Sequence, residues 1–126
     1  MAEVLLDTNF IMTCVQQKID FLDMIFGIGL KIIVPKQVLE ELERVSEKKN
    51  KKLEERSIAE LSLRVLKKNA EKINFINLGK KHVDKLIIEY ATKHPTLIVA
   101  TLDSELKKKI KNRKMVIRLK KKIEII

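Results

Sequence analysis

Short apolar runs alternate along this chain with stretches whose apolar residues recur every three or four positions. Val4–Asp7 reads as a first strand. Ile11, Val15, Ile19, Leu22 and Phe26 have helical spacing, so one helix is expected over 11–26, ended by Gly27 and Gly29. Lys31–Val34 is a second strand, and Pro35 opens a helix from Lys36 to about Ser46. Beyond the charged break Glu47–Lys52, a helix from Leu53 to Lys68 carries Ile58, Leu61, Val65 and Leu66 on one side. Ile73–Asn77 alternates as a short strand, and Gly79 marks a turn. The next helix, about Lys81 to Lys93, has an apolar stripe at Val83, Leu86, Ile87, Tyr90 and Ala91, and Pro95 bounds it. Leu97–Thr101 is the most apolar run, as central strands of a parallel sheet are. A Lys-rich helix, Ser104 to about Lys111, leads to a strand at Met115–Leu119, and Lys120–Ile126 could add an edge strand.

Strands alternating with amphipathic helices predict the α/β class: a three-layer α/β/α sandwich around a central parallel sheet of about five strands. The 126 residues show no internal repeat and no low-complexity linker, so residues 1–126 are expected to form one domain.

Composition narrows the function. The net charge of +10 favours a polyanionic partner such as nucleic acid, although a solvated Lys-rich surface gives the same excess. Aromatic residues are only 4% of the chain, which argues against an RNA platform built on base stacking. Cys14 is the only cysteine. It can form neither an intrachain disulfide nor a thiolate metal site alone, and it is expected in the core. No run approaches the roughly 20 apolar residues of a membrane span, and no signal-peptide pattern opens the chain. A cytoplasmic protein with no membrane partner is therefore expected.

Against this basic background, acids stand where apolar patterning disfavours them. Asp7 closes the run Val4-Leu5-Leu6, and Asp103 follows Leu97–Leu102. Ligands of open parallel sheets bind outside the carboxyl ends of the strands, where strand order reverses. If the two strands are neighbours, Asp7 and Asp103 face each other there. Asp84 falls inside the apolar stripe of its helix whereas Glu89 faces solvent; a charge favoured by the helix amino end would also explain Asp84. On the Lys36–Ser46 helix, Glu40 points away from Val38, Leu39, Leu42 and Val45, while Glu41 and Glu43 flank that stripe on opposite sides. The wheel does not choose between those two. Crowded carboxylates of this kind suit Mg²⁺ or Mn²⁺, which take hard oxygen ligands.

Leu6-Asp7-Thr8-Asn9, Val34-Pro35 with Val38-Leu39-Glu40-Glu41-Leu42-Glu43, Asp84-Lys85-Leu86-Ile87 and Ala100-Thr101-Leu102-Asp103 together resemble the PIN-domain nucleases, in order and spacing, over essentially the whole chain. The resemblance implies a divalent-metal-dependent endoribonuclease using Mg²⁺ or Mn²⁺. It implies Asp7, Glu41, Asp84 and Asp103 as catalytic and metal-binding acids, and Glu105 as a more variable additional acid. Thr8, Asn9 and Thr101 resemble the polar residues that orient them. Glu41 is preferred over Glu43 because the family shares a hydrophobic-x-Glu-Leu core, here Leu39-Glu40-Glu41-Leu42.

The string Val99–Lys108 looks especially like the rRNA-processing subgroup. RNA, pre-rRNA included, is thus the implied partner, with a homodimer or a ribosome-assembly partner left open. VapC-like toxin ribonucleases of toxin–antitoxin pairs share the same four acids, and a non-catalytic RNA-binding assembly factor could keep the fold. A phosphoacceptor receiver needs an acidic pair after strand one, which Leu5-Leu6-Asp7 lacks. A haloacid-dehalogenase-type phosphatase needs Asp-x-Asp, but Asn9 stands at the second position. Lys36, Lys80, Lys81, Lys85 and Lys107–Lys109 could track a phosphate backbone, or be solvated helix faces. His82 and His94 have no partner at metal-ligand spacing and are expected at the surface.

Overall fold

The computed structural model describes residues 2–119 and 121–126. In chain order the elements are β1 (Glu3–Leu6), α1 (Thr8–Gln16), α2 (Phe21–Gly27), β2 (Lys31–Pro35), α3 (Lys36–Glu47), α4 (Leu53–Lys68), β3 (Ile73–Ile76), α5 (Val83–Lys93), β4 (Ile98–Ala100), α6 (Ser104–Lys109), β5 (Lys114–Arg118) and β6 (Lys122–Ile125). A single 3₁₀ turn, Ala70–Lys72, precedes β3.

The six strands form one sheet in the order β3-β2-β1-β4-β5-β6. All neighbours pair in parallel except β5 and β6, which are antiparallel. The sheet is therefore one strand larger than the five expected. The C-terminal residues complete it by turning back at Lys121, whose φ is 61°. Lys120, the first residue of the expected edge strand, lies outside the described residues.

Period-two alternation builds a core on each face. Val4, Leu6, Ile32, Val34, Ile98 and Ala100 pack beneath Phe10, Ile11 and Cys14 of α1, Phe21 and Ile25 of α2, Leu42 of α3 and Leu66 of α4. Leu5, Ile33 and Val99 point the other way, against Ile87 and Ala91 of α5 and Leu106 of α6. Beyond Glu3 and Lys31 at their first positions, both faces of β1, β2 and β4 are thus buried, which is why these strands are apolar at successive positions rather than at alternate ones. Four helices cover one face and two the other, giving the three-layer sandwich. Among the described residues no helix is long and apolar enough to cross a membrane.

The stretch expected as one helix over 11–26 is two helices, and the sequence carries the cause. At the end of α1, Ile19 N–H bonds Cys14 C=O at 2.8 Å and Lys18 N–H bonds Val15 C=O at 3.1 Å, with Lys18 at φ 59°. That is a Schellman closure with Lys18 in the place glycine usually takes. Asp20 then caps α2 by accepting the Asp23 N–H at 3.4 Å. Because Ile19 is buried by the turn itself, the apolar spacing runs unbroken through a chain reversal. The end of α2 closes in the same way, with Gly29 at φ 81°. At the other end, α1 begins at Thr8 rather than Ile11 because Asp7 caps it.

A buried asparagine ties the second face together. Asn112, in the α6–β5 connection, donates from Nδ2 to the carbonyls of Ala91 (3.1 Å), His94 (2.9 Å) and Leu97 (2.9 Å). It thereby fixes the turn from α5 into β4. Removing it takes a hydrogen bond from each of three carbonyls; those of Ala91 and His94 keep the N–H groups of His94 (3.1 Å) and Leu97 (3.0 Å), whereas the bond to the Leu97 carbonyl is wholly inside the protein. Asn112→Ala is expected to lower unfolding free energy in urea by about 1–3 kcal/mol. A loss within about 0.5 kcal/mol, the ordinary range of surface substitutions, would contradict this role.

Candidate active site

Chain order runs outward from β1 through β2 to β3, then returns to β4 on the other side of β1. The strand order therefore reverses between β1 and β4, and a crevice opens outside their carboxyl ends. Leu6 is in register with Ala100, and Asp7 N–H bonds Ala100 C=O at 3.0 Å. This places Asp7 beside Thr101, both buried.

Each oxygen of the Asp7 carboxylate has a partner. Oδ1 accepts the Thr8 N–H at 2.8 Å, capping α1, and Oδ2 accepts the Thr101 hydroxyl at 2.9 Å. The same Thr101 oxygen accepts the Asp103 N–H at 3.1 Å. Asp103 in turn caps α6, its Oδ1 accepting the N–H groups of Glu105 (2.9 Å) and Leu106 (3.3 Å). One threonine hydroxyl thus links the strand-end acids of β1 and β4. Both aspartates serve as helix caps, yet Asp7 is buried far more deeply than a cap needs to be.

Glu41 and Asp84 approach from opposite layers, Glu41 from α3 on one face and Asp84 from the first turn of α5 on the other. Both are half-buried. Burial pushes the Asp7 carboxyl from its ordinary 3.8 up to about 6; the bonds from Thr101 and Thr8 oppose that rise, and the charges of Asp84 and Glu41 add to it. Glu43 is exposed, so burial separates Glu41 from the one neighbour that helical geometry left level with it; Glu40, which the wheel points away, is exposed too. Glu89 is exposed and paired with Lys81 at 2.9 Å, as the α5 wheel predicts.

The remaining expected residues are placed unevenly. Glu105 is exposed in the first turn of α6. Asn9 is exposed and lines a groove between α1 and the start of α4, with Met12 and Ile58. Thr8 is buried and its Oγ1 has no hydrogen-bond partner among the described residues, the one such side-chain atom there. His82 and His94 are exposed, and His94 stacks on Tyr90 with ring centroids 4.1 Å apart. Cys14 is a buried core thiol, pushed up to about 12 by burial.

The donors suit a hard divalent cation. They are carboxylates throughout, the deepest is held partly protonated by burial and like charge, and an orphaned hydroxyl lies beside it. Among the described residues no three acidic, histidine or cysteine side chains stand close enough together to hold one ion. Mg²⁺ characteristically takes one or two carboxylates and keeps several waters, so a pair of these acids is the donor set such an ion would use.

One group contributes that sequence reasoning did not single out. Gln37, in the first turn of α3, donates to Asn77 Oδ1 and to the Gly79 carbonyl, both at 2.8 Å, and accepts the Leu78 N–H at 3.1 Å. Nothing in the local pattern marks a half-buried glutamine as a cross-link to a turn forty residues away.

Comparison with known proteins places the chain. Residues 4–122 match the family model described as a PIN like domain. The chain is 30% identical to Ribonuclease VapC4 of Methanocaldococcus jannaschii, over 99% of this chain and 97% of that protein. Its fold is similar to that of the PIN domain endonuclease Utp24, with a TM-score of 0.77 and 26% identity over 98% of this chain and 90% of the other. It is also similar, at a TM-score of 0.59 and 14% identity, to a chain of VapBC2 from Rickettsia felis bound to a promoter DNA fragment, over 89% of this chain and 98% of that one.

The raised Asp7 carboxyl makes stability depend on pH. Because the fold favours protonated Asp7, its contribution is full below 3.8 and is lost as pH rises through about 6. In metal-free buffer, wild type should therefore lose about 2 kcal/mol relative to Asp7→Asn between pH 4 and pH 7. Urea unfolding at the two pH values measures it, and a pH-independent gap contradicts it. Thr101→Val removes the bond that holds the Asp7 transition down, so carboxyl NMR should find that transition above 6 in the variant.

Proposed function

Because the chain belongs to the PIN-like domain family, we propose that it is a divalent-metal-dependent endoribonuclease hydrolysing RNA phosphodiester bonds. The observation that carries this reading is the buried Asp7 carboxylate at the β1/β4 switch, approached by Glu41 and Asp84 and linked through Thr101 to Asp103. Similarity to a protein named as a ribonuclease over nearly the full length of both chains supports RNA as the substrate.

Asp7 and Asp103 would hold Mg²⁺ or Mn²⁺ directly, Glu41 and Asp84 would reach it through water, and Glu105 would be an additional acid. The bound ion would lower the pKa of a water and neutralise charge on the scissile phosphate. The protein's own groups do the positioning. Thr101 and the Thr8 amide orient the two oxygens of Asp7, and bonding of Asp103 to the first turn of α6 fixes its rotamer. Ionised Asp7 is an acceptor only, whereas protonated Asp7 is a poor ligand, so activity should rise with pH through the range where a cation competes with that proton.

The string Val99–Lys108 resembles the rRNA-processing subgroup, which supports processing of ribosomal RNA as the role, and the fold likeness to the PIN domain endonuclease Utp24 supports internal cleavage. The 30% identity with Ribonuclease VapC4 supports a second reading, a VapC-like toxin ribonuclease held in check by a small antitoxin. Growth arrest on expression, relieved by a co-expressed neighbouring gene product, separates the second from the first.

Asp7→Asn and Asp103→Asn should each lower Mn²⁺-dependent cleavage of labelled RNA by on the order of 10²-fold or more. Glu41→Gln should be impaired where the exposed Glu43→Gln is not. Equal cleavage by wild type and both aspartate variants would remove the hydrolytic reading and leave an RNA-binding assembly factor.

A further inference from the structure

A groove of about 610 Å³ runs beside the acids, between α3 and the connection from β3 to α5. Its size lies within the roughly 300–1,000 Å³ of ordinary ligand clefts. Lys36, Glu41 and Arg44 stand on the α3 wall, and Lys80, Lys81 and Val83 on the other. Glu41 therefore belongs to both places: it lines the groove, and its charge acts on Asp7. Asp84 follows Val83 directly, so the second wall also leads to the acids.

The groove carries more positive than negative charge. Four Lys and Arg side chains face it against Glu40 and Glu41. Among the described residues Lys36, Arg44 and Lys80 make no ion pair. Lys81 pairs with Glu89, but both are well exposed, and such pairs are weak enough to exchange for a phosphate. Lys36 and Arg44 are eight residues apart on one helix, about 12 Å along its axis, a spacing that can span more than one phosphate. Among the described residues no Phe, Tyr or Trp lines the groove, and His82 is the one ring there.

The two walls are locked together. Gln37 bonds Asn77, Leu78 and Gly79 at once, and Asn77 Oδ1 also accepts the Gly79 N–H at 3.0 Å. Gly79 sits at φ 122°, a conformation other side chains rarely adopt, and so lets the chain turn directly from the latch into Lys80 and Lys81. A solvated loop of lysines would not need this fixed geometry.

We propose that this groove is the path by which a single RNA strand reaches the acids, its phosphates held by Lys36, Arg44 and Lys80, with Gln37 as the residue that positions the two walls. The proposal rests on the ribonuclease reading for the identity of the strand. Recognition is by charge and spacing rather than by stacking, so binding along the groove is tolerant of sequence.

The test is fluorescence anisotropy of a labelled, unstructured oligouridylate with the full chain in EDTA, titrated over a range of KCl. Each lost phosphate contact on a single strand flattens the salt slope by about 0.7. The double variant Lys36→Gln/Lys80→Gln should flatten it by about 1.4 and weaken binding. Lys67→Gln/Lys68→Gln, which removes two exposed charges at the end of α4, should leave the slope unchanged. Gln37→Ala removes no charge yet should lower affinity severalfold; unaltered affinity removes Gln37 from the account. Equal flattening by both doubles, or none by the first, overturns the groove. The assay reads binding without hydrolysis, so the two readings fail separately. Groove-dependent binding with no Mn²⁺-stimulated cleavage leaves the groove and removes the hydrolysis. Cleavage with an unchanged KM in Lys36→Gln/Lys80→Gln does the reverse.

Discussion

Everything at the carboxyl edge of this sheet depends on one buried carboxylate that is stable only with help. Asp7 lies at the junction of β1 and β4 where water is excluded, and its ionised form must be compensated by neighbouring donors. Thr8 and Thr101 supply two hydrogen bonds, which do not offset the burial, and Asp84 and Glu41 increase the deficit. A core that maximised stability would place an apolar residue or an asparagine there. The two further acids drawn from opposite layers of the sandwich raise that cost, and the proposed cation would offset it.

The sheet topology explains how acids so distant in sequence meet. The reversal of strand order at β1 brings the ends of β1 and β4 side by side, and burial of both faces of the sheet holds them there. Helices α3 and α5 cover opposite faces, yet each begins near the carboxyl edge, so residues in their first two turns overhang it. Glu41 and Asp84 are such residues. Charge is segregated accordingly. Asp7, Glu41, Asp84 and Asp103 are buried or half-buried whereas Lys36, Lys80, Lys81 and Lys85 are exposed, an order suited to a polyanion that meets the positive charge first.

Much of this was legible in the sequence, for identifiable reasons. Leu97–Thr101 and Val4–Asp7 are apolar without alternation because both of their faces are covered, and this also marked them as central. Asp84 stood out because it interrupts an apolar stripe, and it is half-buried while the adjacent Lys85 is exposed. The division of the expected 11–26 helix was hidden because Ile19 is buried within the reversal, so hydrophobic spacing carried no sign of the break. The antiparallel return of β6 needed the left-handed Lys121, and a lysine gives no local signal of that conformation. The Gln37 latch was invisible for another reason: hydrogen bonds between polar residues forty positions apart leave no periodicity to read.

The central claim, that these acids gather a cation, is tested most directly by a crystal soaked in Mn²⁺ and measured at the manganese absorption edge. The account predicts anomalous density within coordination distance of Asp7 and at least one of Glu41, Asp84 and Asp103. Manganese bound elsewhere, or none at full soak with the Asp7 carboxyl undisturbed, would contradict it.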